Sequence, residues 1–158
     1  MAGYSGTPLP QKLGIKPGSR LALAGAPDRF AEALGPLPPG VKPNDAERAK
    51  GPFDVIVAFV QARKDLERRF PELKRKLEPS GGLWIAWPKK ASKIATDMTE
   101  DVVRAVGLPG GLVDNKVCAI DEVWSGLRLV YRVADRPPAA KPAKAAKTTK
   151  KKRAPAPR

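Results

Sequence analysis

FDVIVAFV, residues 53–60, decides the fold. After Asp54 it runs through Val55, Ile56, Val57, Ala58, Phe59 and Val60 with no polar alternation. A strand of that composition is covered on both faces, as happens inside a parallel sheet flanked by helices. LWIAW, 83–87, repeats the pattern as a second buried strand. Trp84 and Trp87 are three residues apart in it, so they face opposite sides of the sheet.

Between these strands, RKDLERRFPELKRKLEPSGG spaces Leu66, Phe70, Leu73 and Leu77 four, three and four apart, one apolar stripe on an otherwise charged helix. Pro71 is expected to kink or restart that helix, and Pro79 with Gly81 and Gly82 to end it. Towards the amino terminus, RLALAGAP, 20–27, is a buried strand turning into a helix near Pro27, and Phe30, Ala33 and Leu34 follow at helical spacing. Residues 35–52 hold five prolines and three glycines, which predicts a loop with at most one brief extended piece. Towards the carboxyl terminus, Asp97 and Glu100 suggest a capping box for a helix with Val102, Val103 and Val106 on its apolar face, closed by Gly107. NKVCAI, 115–120, and LRLVYRV, 127–133, then form a hairpin through DEVWSG. The order predicts a small open α/β sheet, mostly parallel, with helices on both faces and a C-terminal antiparallel hairpin.

At roughly 100 to 200 residues per domain, the chain allows one domain over residues 1–133 and a tail over 134–158. Thirty Lys and Arg stand against sixteen Asp and Glu, a net charge of +14. Residues 135–158 hold nine of those bases and one acid, so the tail carries +8 and the remainder +6. No histidine is present, which excludes imidazole-based nucleophile activation and His-containing zinc sites. The single cysteine, Cys118, has apolar neighbours and reads as a core residue, with a reactive thiol as the alternative. The first twenty residues hold no uninterrupted apolar segment of the signal-peptide kind, and no run approaches a bilayer span, so a cytoplasmic protein without membrane contact is expected.

GIKPGSRLALAGAP, GPFDVIVAFV and LEPSGGLWIAWP resemble the first, fourth and fifth strand regions of the class I methyltransferase scaffold, a Rossmann-like sheet ending in such a hairpin. Against that family's glycine-rich turn, Gly25 is in place, Leu23 stands where an acid is usual, and Pro27 and Arg29 stand where further glycines are usual. A proline ring and an arginine there are expected to obstruct S-adenosylmethionine. Asp45 and Glu47, the nearby acids, read as loop residues without a ribose-binding position, so no cofactor is expected. MAGYSGTPL, KLGIKPG, WIAWPKKAS, TDMTEDVVR and GLVDNKVCAIDEVWSGLRLVYR together resemble the bacterial family called domain of unknown function 3052, which implies a fold without an established reaction.

Ligands of open α/β sheets bind outside the carboxyl ends of the strands. Those ends offer Gly25, Ala26, Arg63, Trp87, Lys89, Lys90 and Ser92, a basic and aromatic set suited to a phosphate, a carboxylate or an acidic protein loop. The plainer alternative is a solvated strand exit, with Trp87 packed as core. Asp97, Glu100 and Asp101, and likewise Asp121 and Glu122, could share acid and base roles, but capping and turn chemistry account for them. Trp124, in the hairpin connection, is a candidate partner contact.

The tail, DRPPAAKPAKAAKTTKKKRAPAPR, has nothing with which to build a core and is expected to be disordered. It is similar to the tails of linker histones. Lys141, Lys144, Lys147, Lys150, Lys151, Lys152 and Arg153 are candidate nucleic-acid contacts. Lacking aromatics, they neutralise phosphates without reading sequence. The reading that follows is a non-catalytic binding or regulatory module tethered to nucleic acid by its tail. The alternative is a divergent enzyme, methyltransferase-like or acting on an anionic small molecule, using the strand-end pocket. For the tail, DNA retardation by the full chain should fall with salt at a log-log slope of about −7, and a chain ending at Val133 should lose it. Equal retardation by both would remove the tail from consideration.

Overall fold

A computed structural model describes residues 8–28 and 30–132. Arg29, the boundary at residues 133 and 134, and every tail lysine named above lie outside those residues.

The chain runs through α1 (Leu9–Lys12), β1 (Leu21–Ala24), α2 (Phe30–Leu34), β2 (Pro43–Asp45), β3 (Phe53–Phe59), α3 (Arg63–Arg75), β4 (Leu77–Pro88), α4 (Glu100–Gly107), β5 (Leu112–Ala119) and β6 (Trp124–Tyr131). The six strands form one sheet in the order β2-β1-β3-β4-β6-β5. β2, β1, β3 and β4 are mutually parallel, while β6 runs antiparallel to both β4 and β5. The mostly parallel α/β sheet with a terminal hairpin is therefore the architecture found, and β2 is the brief extended piece within the proline-rich stretch.

β3 and β4 hold the centre because both their faces are buried. Ile56, Ala58, Leu83, Ile85 and Trp87 join Leu66, Phe70 and Leu73 of α3 and Val103 of α4 in one core. Val55, Val57, Phe59, Trp84 and Ala86 join Leu13, Phe30 and Leu34 in another, on the side of α1 and α2. The two tryptophans thus divide between the faces as their spacing predicts. Burying an indole requires a partner for its N–H, and Trp84 Nε1 donates to the Leu13 carbonyl at 3.0 Å, which ties the segment after α1 to the sheet. Asp54, the polar residue of the deciding stretch, accepts the Arg20 amide at 2.8 Å and fixes the start of β1 beside β3.

Four expectations need correction. α3 passes through Pro71 without a break and ends at Arg75, so Leu77 belongs to β4 and not to the helical stripe. The segment before Leu83, read as a helix stop, is the irregular first part of β4: Phe53 pairs with Leu77, the register then shifts, and Val55 pairs with Gly82. Thr99, in extended conformation, caps α4 by accepting the Val102 amide, so Asp97 is released for other use. Trp124 is the first residue of β6, paired with Pro88, and not part of the hairpin connection.

Gly81 sits at the register shift because nothing larger fits: a Cβ there would come within 2.5 Å of the Asp54 carbonyl oxygen. That obstacle is backbone and cannot rotate away. Gly81→Ala should therefore destabilise the chain by about 1–3 kcal/mol, read as a lower urea midpoint with an unchanged slope. An unaltered midpoint would show that the strand start yields freely.

Candidate functional site

The chain leaves β1 for β2 on one side and later returns to β3 on the other, so the topological switch point lies between β1 and β3. At such a point the loops diverge and leave a crevice above the strand ends. Gly25 follows β1 with φ +67 and is exposed, so its backbone is open to approach. A Cβ on it would stand 3.3 Å from the Phe59 carbonyl oxygen and 3.6 Å from Nη2 of Arg69. Pro27 launches α2: its carbonyl accepts the Phe30 amide at 3.0 Å. What approaches Gly25 from the β3 side is Arg69.

Arg69 reaches the strand ends from α3, and its side chain is only 12% exposed. Nη1 donates to the Phe59 carbonyl and to Asp65 Oδ2, each at 3.1 Å. Nη2 is buried without a hydrogen-bond partner. Glu47 Oε2 stands 3.8 Å from it, on a side chain 67% exposed. Asp65 is shared, since its other oxygen binds Arg68. Sequence reasoning passed over Arg69, although a signal existed: it lies three residues after Leu66 and four before Leu73, which puts a cation on the flank of the buried stripe.

Asp45 needs a second correction. It is the last residue of β2, directly opposite Leu23 of β1, and so stands at the same end of the sheet as Gly25. Its Oδ1 accepts the Glu47 amide at 2.9 Å, shaping the turn that carries Glu47 towards Arg69. Lys76, one of the few charged side chains in the interior, holds the same turn by donating from Nζ to the Ala46 carbonyl at 2.6 Å.

The other residues singled out from sequence fall elsewhere. β3 separates β1 from β4, so the exits at Gly25 and Trp87 are about 10 Å apart at 4.7–4.9 Å per strand. Gly25 and Ala26 belong to the crevice. Trp87 is buried in the core. Arg63 pairs with Glu67 at 2.9 Å, and its amide is capped by Asp97 Oδ1 at 2.8 Å. Lys89 donates its amide to the Val123 carbonyl at 2.8 Å, Ser92 Oγ donates to the Lys89 carbonyl at 2.7 Å, and Lys90 is exposed. They form a single 3-10 turn with its flanking residue, and Gln61 Nε2 donates to the Ala95 carbonyl at 2.9 Å just beyond it. Trp124 is half-buried, edge-on to Phe59 with ring centroids 5.1 Å apart, and Phe59 is in turn edge-on to Phe30 at 4.8 Å. The acidic clusters are absorbed: Glu100 and Asp101 pair with Arg104, and Asp121 accepts the Val123 and Trp124 amides. Arg104 also binds Asp114 at 2.9 Å, and that hydrogen bond holds the Asp114 carboxyl below its ordinary range. Cys118, read as a core residue, is half-buried at the edge of the Leu13 and Trp84 core, and burial pushes its thiol up against the pull of Lys12 and Lys116.

No family model matches the chain, and no curated protein matches it, so the resemblance to the family of unknown function gains no support from those comparisons. Solved structures do match. The chain is similar to a protein described as a type 11 methyltransferase from Sulfolobus solfataricus, at 16% identity and a TM-score of 0.58 over 80% of this chain and 91% of that one. It is similar to magnesium protoporphyrin IX methyltransferase from Synechocystis PCC 6803, solved with S-adenosylmethionine bound, at 10% identity and a TM-score of 0.51 over 78% and 74%. It is also similar to an S-adenosylmethionine-dependent methyltransferase from Aquifex aeolicus, at 15% identity and a TM-score of 0.50 over 75% and 85%. The fold is thereby a methyltransferase-like Rossmann scaffold. These matches overturn the expectation of a non-catalytic binding module: the architecture is one that enzymes use, and the enzyme alternative is the reading carried forward.

Proposed function

We propose that this chain is a divergent methyltransferase-like enzyme whose ligand site is the crevice at the carboxyl ends of β1 and β3. The observation that carries the reading is the meeting, at the topological switch point, of an exposed positive-φ Gly25 with the guanidinium of Arg69, whose Nη2 would stand 3.6 Å from a Cβ on that glycine.

The residues fit S-adenosylmethionine in kind. Gly25 lets a ligand lie against the main chain. Asp45, at the end of the neighbouring strand, is an acid of the sort that holds ribose hydroxyls, which would share it with the Glu47 amide on Oδ1 and with Arg48, 3.7 Å from Oδ2. Arg69 supplies a donor for an amino-acid carboxylate. When bound, the cofactor supplies an electrophilic methyl group. The chain's part is to orient it and to exclude water. Histidine is absent, so deprotonation of an acceptor by imidazole is not part of the chemistry.

Calorimetric titration of the full chain with S-adenosylmethionine and S-adenosylhomocysteine tests the proposal. Saturable micromolar binding is expected, with at least a tenfold loss in Gly25→Ala, whose methyl would meet the Phe59 carbonyl in a backbone conformation that L residues avoid. Absence of binding by the unaltered chain overturns it.

A further inference from the structure

Resting on the crevice as the ligand site, we propose that Glu47 is a built-in stand-in for a ligand carboxylate, and that the two exchange at Nη2 of Arg69. A buried donor without an acceptor costs stability, and more so when the group is charged. Nη2 is such a donor. Nη1 is fully occupied by the Phe59 carbonyl and Asp65 Oδ2, which fix the guanidinium plane and leave Nη2 turned towards Gly25 and Glu47. At 3.8 Å, Glu47 Oε2 neutralises the cation without making a hydrogen bond.

The charge count favours exchange over a permanent pair. Asp65 divides one negative charge between Arg68 and Arg69, so removal of Glu47 leaves a net positive charge buried beside the glycine turn. Glu47 is mostly exposed, so its own carboxylate loses little when it swings into water, whereas Arg69 is held. The turn that carries it is anchored on either side of its side chain: before it, Asp45 Oδ1 accepts the Glu47 amide and Lys76 donates to the Ala46 carbonyl, and after it the Arg48 and Ala49 amides donate to the Asp45 carbonyl. The side chain can therefore move while the main chain stays. A planar carboxylate entering over Gly25 at hydrogen-bonding distance replaces a loose pair with a charge-assisted bond. The ligand class is accordingly a nucleoside that bears an amino-acid carboxylate, and the carboxylate half is what Arg69 selects.

The experiment compares S-adenosylhomocysteine with methylthioadenosine, which keeps the nucleoside and thioether but lacks the amino-acid carboxylate. Both are titrated into the full chain and into its Glu47→Gln and Arg69→Gln variants, with folding verified by circular dichroism. Glu47→Gln removes the competitor and should tighten S-adenosylhomocysteine about fivefold to tenfold, since more of the protein is then ready to bind. Arg69→Gln should weaken it at least tenfold, the worth of a charge-assisted hydrogen bond. Methylthioadenosine should respond to neither substitution. If Arg69→Gln does not fold, the surface variant Glu47→Gln decides alone: tightening confined to the carboxylate-bearing ligand supports the exchange, and no tightening overturns it. Binding of S-adenosylhomocysteine that is indifferent to both substitutions overturns the exchange and leaves the enzyme reading intact. Binding of neither ligand to any form removes both.

Discussion

Double coverage of β3 and β4 is the constraint from which the rest of the molecule follows. Neither strand can present a polar side chain to either face along its central length, so Val55 to Val60 and Leu83 to Trp87 are apolar throughout and buried. Polar chemistry is thereby driven to the strand ends. At the amino ends it serves assembly, as where Asp54 receives the Arg20 amide. A depression of about 290 Å³ at that end, lined by Gly18, Arg20, Lys42 and Asn44 among others, lies across the sheet from the switch point. Within it Arg20 lies over the Phe53 ring at 5.1 Å, and Asn44 donates to the Leu21 carbonyl at 3.0 Å.

At the carboxyl ends the same constraint shapes the crevice. α3 must lay Leu66, Phe70 and Leu73 on the sheet, and this fixes its rotation. Arg69, on the flank of that stripe, is then delivered over the ends of β1 and β3 whether or not solvent is available to it. A lysine would offer one point of attachment there. The planar guanidinium instead spans the Phe59 carbonyl and Asp65 with one nitrogen and keeps the other for a different acceptor.

How much of this was legible in sequence follows from the range of the forces involved. The apolar runs at 53–60 and 83–87 announced the central strands because burial on two faces leaves a dense local signal. Boundaries were less visible where a backbone device replaced a side-chain pattern. The start of β4 at Leu77 depends on a register shift around Gly81, and composition there reads as a turn. Asp97 looked like a cap for the helix that follows it, yet it caps α3 at Arg63, 34 residues earlier, a tertiary choice that no local spacing contains. Of the residues singled out from sequence, Gly25 and Ala26 follow β1 at the proposed crevice, while Arg63, Lys89, Lys90 and Ser92 lie with the neighbouring exit. Asp45 and Glu47 were read as loop because a three-residue strand within a proline-rich stretch resembles one, and Arg69 was passed over because it reaches Glu47 only through the packing of α3 against the sheet, 22 residues on.

The shortness of β2 also bears on how a ligand would be held. β2 spans only Pro43–Asp45, all exposed, and it forms the edge of the sheet beyond β1. A nucleoside resting on that side meets little apolar wall, so its burial contributes correspondingly little at about 25 cal/mol per Å² of surface removed from water. The other side of the crevice offers a fixed, incompletely satisfied guanidinium. Binding energy must therefore come disproportionately from the charged end of the ligand. That inverts the usual division of labour in a nucleotide-binding sheet, where the glycine-rich turn and the flanking strands do most of the holding. Under the proposed exchange at Arg69, close backbone approach would be needed at Gly25 alone, and a turn with Leu23 and Pro27 in place of an acid and a glycine would be compatible with it.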